Sequence, residues 1–139
     1  MRDVPGNPVK SELIVAVAAL VAATSLGAQP GRPPGTRRTD LQQHDLSLNG
    51  WEERQIRVDF APGASFPRHT HPGEEIIYVL EGTLEYDVDG KPPQILKAGD
   101  VLFVPKGVVH AAKNAGTTPA AELGTYVVEK GRPLVELAK

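Results

Sequence analysis

The chain has 139 residues, 40% of them apolar and 23% charged, with a formal net charge of −2; this fits one globular domain and excludes an intrinsically disordered chain. It contains no cysteine, which excludes disulfide-stapled folds, zinc-thiolate sites and cysteine nucleophiles. Residues 1–39 carry five basic and two acidic side chains and residues 40–139 carry ten and fifteen, so the body of the chain lacks the basic stripe that nucleic acid requires and suits a bound cation instead.

Residues 1–28 read as a signal-peptide-like segment. Arg2 and Lys10 precede an apolar run from Leu13 to Ala28, and small residues Ser25, Gly27 and Ala28 close it. The run is shorter than the roughly 18 residues of a membrane span. Export to the periplasm or the exterior is expected, with no stable membrane span after cleavage; the alternative is an uncleaved N-terminal helix on a cytoplasmic protein. Residues 29–39 follow as a linker, because Pro30, Gly31, Pro33, Pro34 and Gly35 suit neither a helix nor an internal strand. The folded domain is expected over residues 40–139.

From Trp51 onward the pattern is that of strands. Ile56, Val58 and Phe60 alternate with Gln55, Arg57 and Asp59, as in a half-buried strand. Further strands are predicted at Glu75–Glu81, Thr83–Val88, Val101–Pro105, Val108–Lys113 and Leu123–Glu129. Glycines at 63, 82, 90, 99, 107, 116 and 131 punctuate them, the spacing of an antiparallel sandwich or barrel. Ile76–Leu80 and Val101–Val104 are apolar at every position, which predicts cover on both faces. In so small a body the second cover is expected to be another copy of the chain, hence a homodimer.

Three of the four histidines sit in two tight contexts. His69 and His71 are two apart in GASFPRHTHPGEEIIYVLEG, from Gly63 to Gly82. On a strand they project from one face, close enough to converge on a single ion. Pro72 and Gly73 then turn the chain, and Glu74 and Glu75 open the next strand. Either carboxylate can face inward, since both faces of that strand are apolar. His110 lies in GDVLFVPKGVVHAAKN, from Gly99 to Asn114, with Val108 and Ala112 on its own face. A lone histidine among small apolar residues becomes a candidate ligand only if a barrel brings it opposite the pair. His44 has no partner at ligand spacing and reads as a surface or interface residue. Tyr78, Tyr86 and Tyr126 read as packing residues, and Phe66, Ile77, Val79, Phe103 and Val108 as candidates to line a cavity.

The two segments resemble the paired motifs of the cupins, G-x5-H-x-H-x3/4-E-x6-G and G-x5-P-x-G-x2-H-x3-N. Gly63, His69, His71, Glu75 and Gly82 fill the first motif; Gly99, Pro105, Gly107, His110 and Asn114 fill the second. The resemblance implies a small antiparallel jelly-roll β-barrel holding one divalent metal ion through His69, His71, Glu75 and His110. Fe, Mn, Ni, Cu and Zn all remain open by ligand type. It further implies a structural or hydrogen-bonding role for Asn114, while Glu74, beside the turn, reads as a solvated carboxylate. The oxalate enzymes of the germin-like branch are placed at a distance, being longer and cysteine-bearing near their start.

The expected function is that of a metalloenzyme acting on a small-molecule substrate, an oxygen-dependent, quercetinase-like dioxygenase with Glu75 as catalytic base. The alternatives are a metal-dependent isomerase, lyase or decarboxylase without redox change, and a non-catalytic exported sugar or metabolite binder.

Overall fold

A computed structural model describes residues 32–139; the signal-like segment 1–28 and the start of the linker lie outside the described residues. Ten strands follow in order: β1 (Thr36–Asp45), β2 (Trp51–Phe60), β3 (Ser65–Thr70), β4 (Gly73–Glu81), β5 (Thr83–Val88), β6 (Gln94–Lys97), β7 (Val101–Val104), β8 (His110–Lys113), β9 (Ala120–Glu129) and β10 (Glu136–Leu137). No helix occurs among the described residues. The strands form two antiparallel five-stranded sheets, ordered β1-β2-β9-β4-β7 and β10-β3-β8-β5-β6. The chain is thus an all-β, jelly-roll barrel.

The core lies between the sheets. Ile56, Val58 and Phe60 of β2, Ile77 and Val79 of β4, Leu84, Tyr86 and Val88 of β5, and Tyr126 and Val128 of β9 are all buried. These positions alternate along each strand, as the period-two pattern requires. The predicted strand Thr83–Val88 coincides with β5, and the others match β2, β4, β7, β8 and β9 to within a few residues. The strand predicted from Val108 begins only at His110, because Val108 belongs to the Pro105–Gly107 turn, where its N–H bonds Pro105 O at 3.1 Å.

Two expectations need correction. Residues 36–39, read as linker, are the start of β1 and pair with Arg57–Phe60 of β2. Only Pro30–Gly35 carries strand-breaking chemistry; TRRTDLQQHD hides its strand character because it is an edge, exposed at every residue after Thr36. The second concerns Tyr78 and Phe103, which lie on the outer face that one chain leaves uncovered. Ile76, Tyr78, Leu80, Val101 and Phe103 lie between 37% and 65% exposed on the outer face, with Ile76 paired to Phe103 and Tyr78 to Val101 across β4 and β7. Tyr78 and Phe103 are therefore outward residues rather than core or cavity lining, the consequence of their parity relative to Ile77 and Leu102.

The chain crosses from one sheet to the other between β3 and β4, and Gly73 makes that crossing possible. A Cβ at Gly73 would lie 2.6 Å from Val128 Cα and closer still to Val127 O, and backbone cannot retreat as a side chain can. Gly73→Ala is expected to cost about 3 kcal/mol or more, read as a lowered urea midpoint at unchanged slope; a midpoint within error of the parent's would contradict this packing.

Candidate metal centre

β3 and β8 are neighbours in one sheet, and their register sets His69 directly opposite His110. The register slips between Phe66 and His69, where Pro67 has no N–H for the ladder, and such an irregularity re-aims the side chains beyond it. His71 sits just past the end of β3, at the crossing between sheets. The three rings converge, with centroids 4.8 Å (His69–His71), 4.2 Å (His69–His110) and 5.1 Å (His71–His110) apart. Their ligating atoms lie within 4.8 Å of one another, a group that could hold a metal ion.

Glu75 enters from the opposite sheet. It is buried on the inner face of β4 with Ile77 and Val79, whereas Glu74 is half-buried on the other face. That resolves the parity that the sequence left open. Glu75 Oε2 lies 2.9 Å from His110 Nε2 and 3.1 Å from His71 Nε2.

Each imidazole is fixed from behind by a backbone carbonyl: His69 Nδ1 to Pro67 O at 2.7 Å, His71 Nδ1 to Leu134 O at 2.6 Å, and His110 Nδ1 to Val108 O at 3.1 Å. A carbonyl only accepts, so each Nδ1 must carry the hydrogen, and each neutral ring turns its Nε2 lone pair towards the cavity. This is the tautomer a metal ligand needs. His71 Nε2 is buried without a hydrogen-bond partner, although it lies close to Glu75 Oε2. Two lone pairs and a carboxylate facing one another are stable only around a cation. A proton on His110 satisfies one contact, whereas a metal ion satisfies both, so the residues fit the ion.

The titration behaviour of the metal-free group agrees. Burial, with the neighbouring His110 charge, pushes His69 down to about 4, so it is neutral at physiological pH. Burial opposes ionisation of Glu75, but the hydrogen bond from His110 and the nearby His71 ring outweigh it and hold the carboxyl below its ordinary range. Burial likewise opposes the charge on His110, and Glu75 outweighs it and holds His110 above its ordinary value.

The centre opens into a cavity of about 470 Å³, lined among others by Phe66, Ile56, Ile77 and Leu134, with Arg38 and Thr36 of β1 also on its wall. Of the residues expected to line it, Phe66 and Ile77 do; Val79, Val108 and Phe103 do not. Tyr86 and Tyr126 are buried and line it as well. Asn114 is buried away from the centre, its Nδ2 donating to Phe60 O and Thr118 O and its Oδ1 accepting from Gly116 N, so it ties down the loop after β8. His44 is exposed on β1. A buried carboxyl that the sequence did not single out, Glu122 of β9, also lines the cavity; its signal was a single charge at an inward position of an apolar strand.

The pattern of the cupin domain family matches residues 56–132, which span both histidine contexts. The chain is a member of the cupin family. It is similar to a germin-like protein of subfamily 2 from Arabidopsis thaliana, 44% identical over 75 residues that make up 50% of this chain and 34% of that protein. The chain therefore spans about a third of that relative's length. The similarity falls on the branch that the sequence had placed at a distance. Among solved structures, a cupin-like protein from Thermotoga maritima superposes with a TM-score of 0.61 at 29% identity, covering 74% of this chain and 75% of that one. An oxalate oxidase in complex with glycolate superposes with a TM-score of 0.62 at 27% identity, covering 79% and 58%.

Because His110 is held above its ordinary value in the metal-free cupin, a metal must displace its proton. Affinity for Co(II) is expected to fall as the pH is lowered, approaching roughly tenfold per pH unit once the pH lies below the raised His110 value, measured by competition with a chelator from pH 5 to 8. A pH-independent affinity would contradict the assignment of His110.

Proposed function

We propose that this cupin is a metal-dependent enzyme that oxidises a small, oxygen-rich, chelating molecule with dioxygen, in the manner of a quercetinase-like dioxygenase. The supporting observation is the set of three imidazoles locked with Nε2 inward, joined by one ionised carboxylate at the wall of a largely apolar cavity. His69, His71, His110 and Glu75 are the ligands in this reading. A divalent ion there, whether Fe, Mn, Ni, Cu or Zn, supplies Lewis acidity that favours the ionised form of a chelating hydroxyl. Glu75 is the base that takes the hydroxyl proton, being ionised and already within hydrogen-bond distance of His110. Ile56, Phe66 and Ile77 keep water from the reacting end. Both atoms of dioxygen enter the product, so the reaction needs no external reductant. The likeness to an oxalate oxidase seen with glycolate favours a small oxygen-bearing ligand at this centre.

The same reading includes export, supported by the apolar run Leu13–Ala28, and a homodimer in which the outer faces of β4 and β7 of two copies meet. Five large apolar side chains on one face of a small domain form the kind of patch that marks an association surface. Phe103→Asp is expected to convert a dimer to a monomer in sedimentation at micromolar concentration; an unchanged sedimentation coefficient would remove this face from the interface.

The activity is tested with an oxygen electrode. Metal-loaded protein should consume oxygen with flavonols or small diketones, and His69→Ala should lower the rate by about two orders of magnitude or more. Equal turnover without oxygen would support a non-redox isomerase, lyase or decarboxylase instead. A ligand-induced rise in melting temperature with no turnover would support a binder.

A further inference from the structure

Glu122 has no part in holding the ion, yet it occupies an expensive position. It lies on the inner face of β9, paired with Val58 of β2 and Val79 of β4, and is 5% exposed. A carboxyl group there is far less favourable than a third valine unless it is used. Tyr86, on β5 of the facing sheet, donates its hydroxyl to Glu122 Oε2, and both side chains line the cavity that reaches the three histidines.

The neighbouring residues keep this corner polar. A Cβ at Gly124 would lie 2.6 Å from Tyr126 Oη, so the glycine lets the Tyr126 ring lie back along β9, from its position opposite Glu75 towards Glu122. Burial first and the Glu75 charge second push the Glu122 carboxyl well above its ordinary range. As a neutral acid that already accepts from Tyr86, Glu122 has its own O–H left to donate into the cavity.

We propose that Glu122 and Tyr86 form a second polar subsite that hydrogen-bonds a hydroxyl or carbonyl group at the far end of the substrate, so that the cavity selects molecules oxygenated at both ends. The inference rests on the metal-centred reading above, which holds the chelating end at the histidines. Tyr126 pairs with Glu75, and Glu122 stands four residues away along β9, a rise of roughly 13 Å. The class of ligand is therefore a chelating aromatic or extended molecule with a second oxygen substituent remote from its chelating pair. A pair that merely pins the two sheets together would contribute stability without selectivity.

The test uses the full chain loaded with one equivalent of Zn(II), with quercetin and 3-hydroxyflavone as probes. These share the chelating hydroxy-keto pair and differ in their ring hydroxyls. Dissociation constants come from the absorption shift of each flavonol. The parent should prefer quercetin by roughly tenfold or more. Glu122→Val and Tyr86→Phe should bring the ratio of the two constants close to one, and Glu122→Gln, which retains a donor, should keep most of the preference. A ratio unchanged in Glu122→Val and Tyr86→Phe overturns the proposal even if the melting temperature falls, as does a parent that shows no preference or binds neither compound. If Glu122→Val fails to fold, Tyr86→Phe carries the same comparison. Affinities measured without zinc report separately on the metal-centred reading: if they do not weaken, that reading fails, while the ratio still reports on Glu122.

Discussion

Three backbone carbonyls decide the chemistry of this protein. Pro67 O, Val108 O and Leu134 O each accept the Nδ1 hydrogen of one histidine, and this leaves three Nε2 lone pairs facing inward. Without those bonds the rings could rotate or exchange tautomers, and the group would lose its preorganisation for a cation. Two of the carbonyls lie within two residues of the ring they hold, so the constraint is written into the local backbone. The third comes from the C-terminal segment, so His71 depends on the chain returning past the barrel.

The rest of the fold serves that convergence. One sheet contributes His69 and His110 as cross-strand partners, and the other contributes Glu75 on β4. The short crossing at His71, Pro72 and Gly73 joins them, and the close approach of Gly73 to β9 seats the start of β4 against its neighbour in the same sheet, two residues before Glu75. The cost of burying an ionised carboxylate is offset by a proton on His110 or, when bound, by the ion. Glu122 has no such compensation and is held as the acid, so two carboxyls on one sheet face are driven to opposite protonation states by their surroundings.

Much of the site was legible in the sequence because its determinants are local. The two-residue spacing of His69 and His71, the turn at Pro72–Gly73 and the turn before His110 are short-range signals, and the cupin-like motifs join them. The strand pattern gave the sheets because Ile56, Val58 and Phe60, or Leu84, Tyr86 and Val88, alternate with polar residues. Where a strand is uniformly apolar or uniformly polar, period-two reasoning has nothing to work on. For that reason the inward direction of Glu75 stayed open by parity, Tyr78 and Phe103 were assigned to the wrong side, and the first four residues of β1 were taken for linker. Glu122 escaped notice because its significance depends on Tyr86, which lies 36 residues away in sequence and meets it only when the sheets close.

X-ray absorption at the metal edge of protein carrying one bound equivalent tests the central claim most directly. Three imidazole scatterers and at least one oxygen, at about 2.0–2.2 Å, are the result this account requires. A first coordination sphere of oxygen alone, without the multiple scattering of imidazole rings, would contradict it.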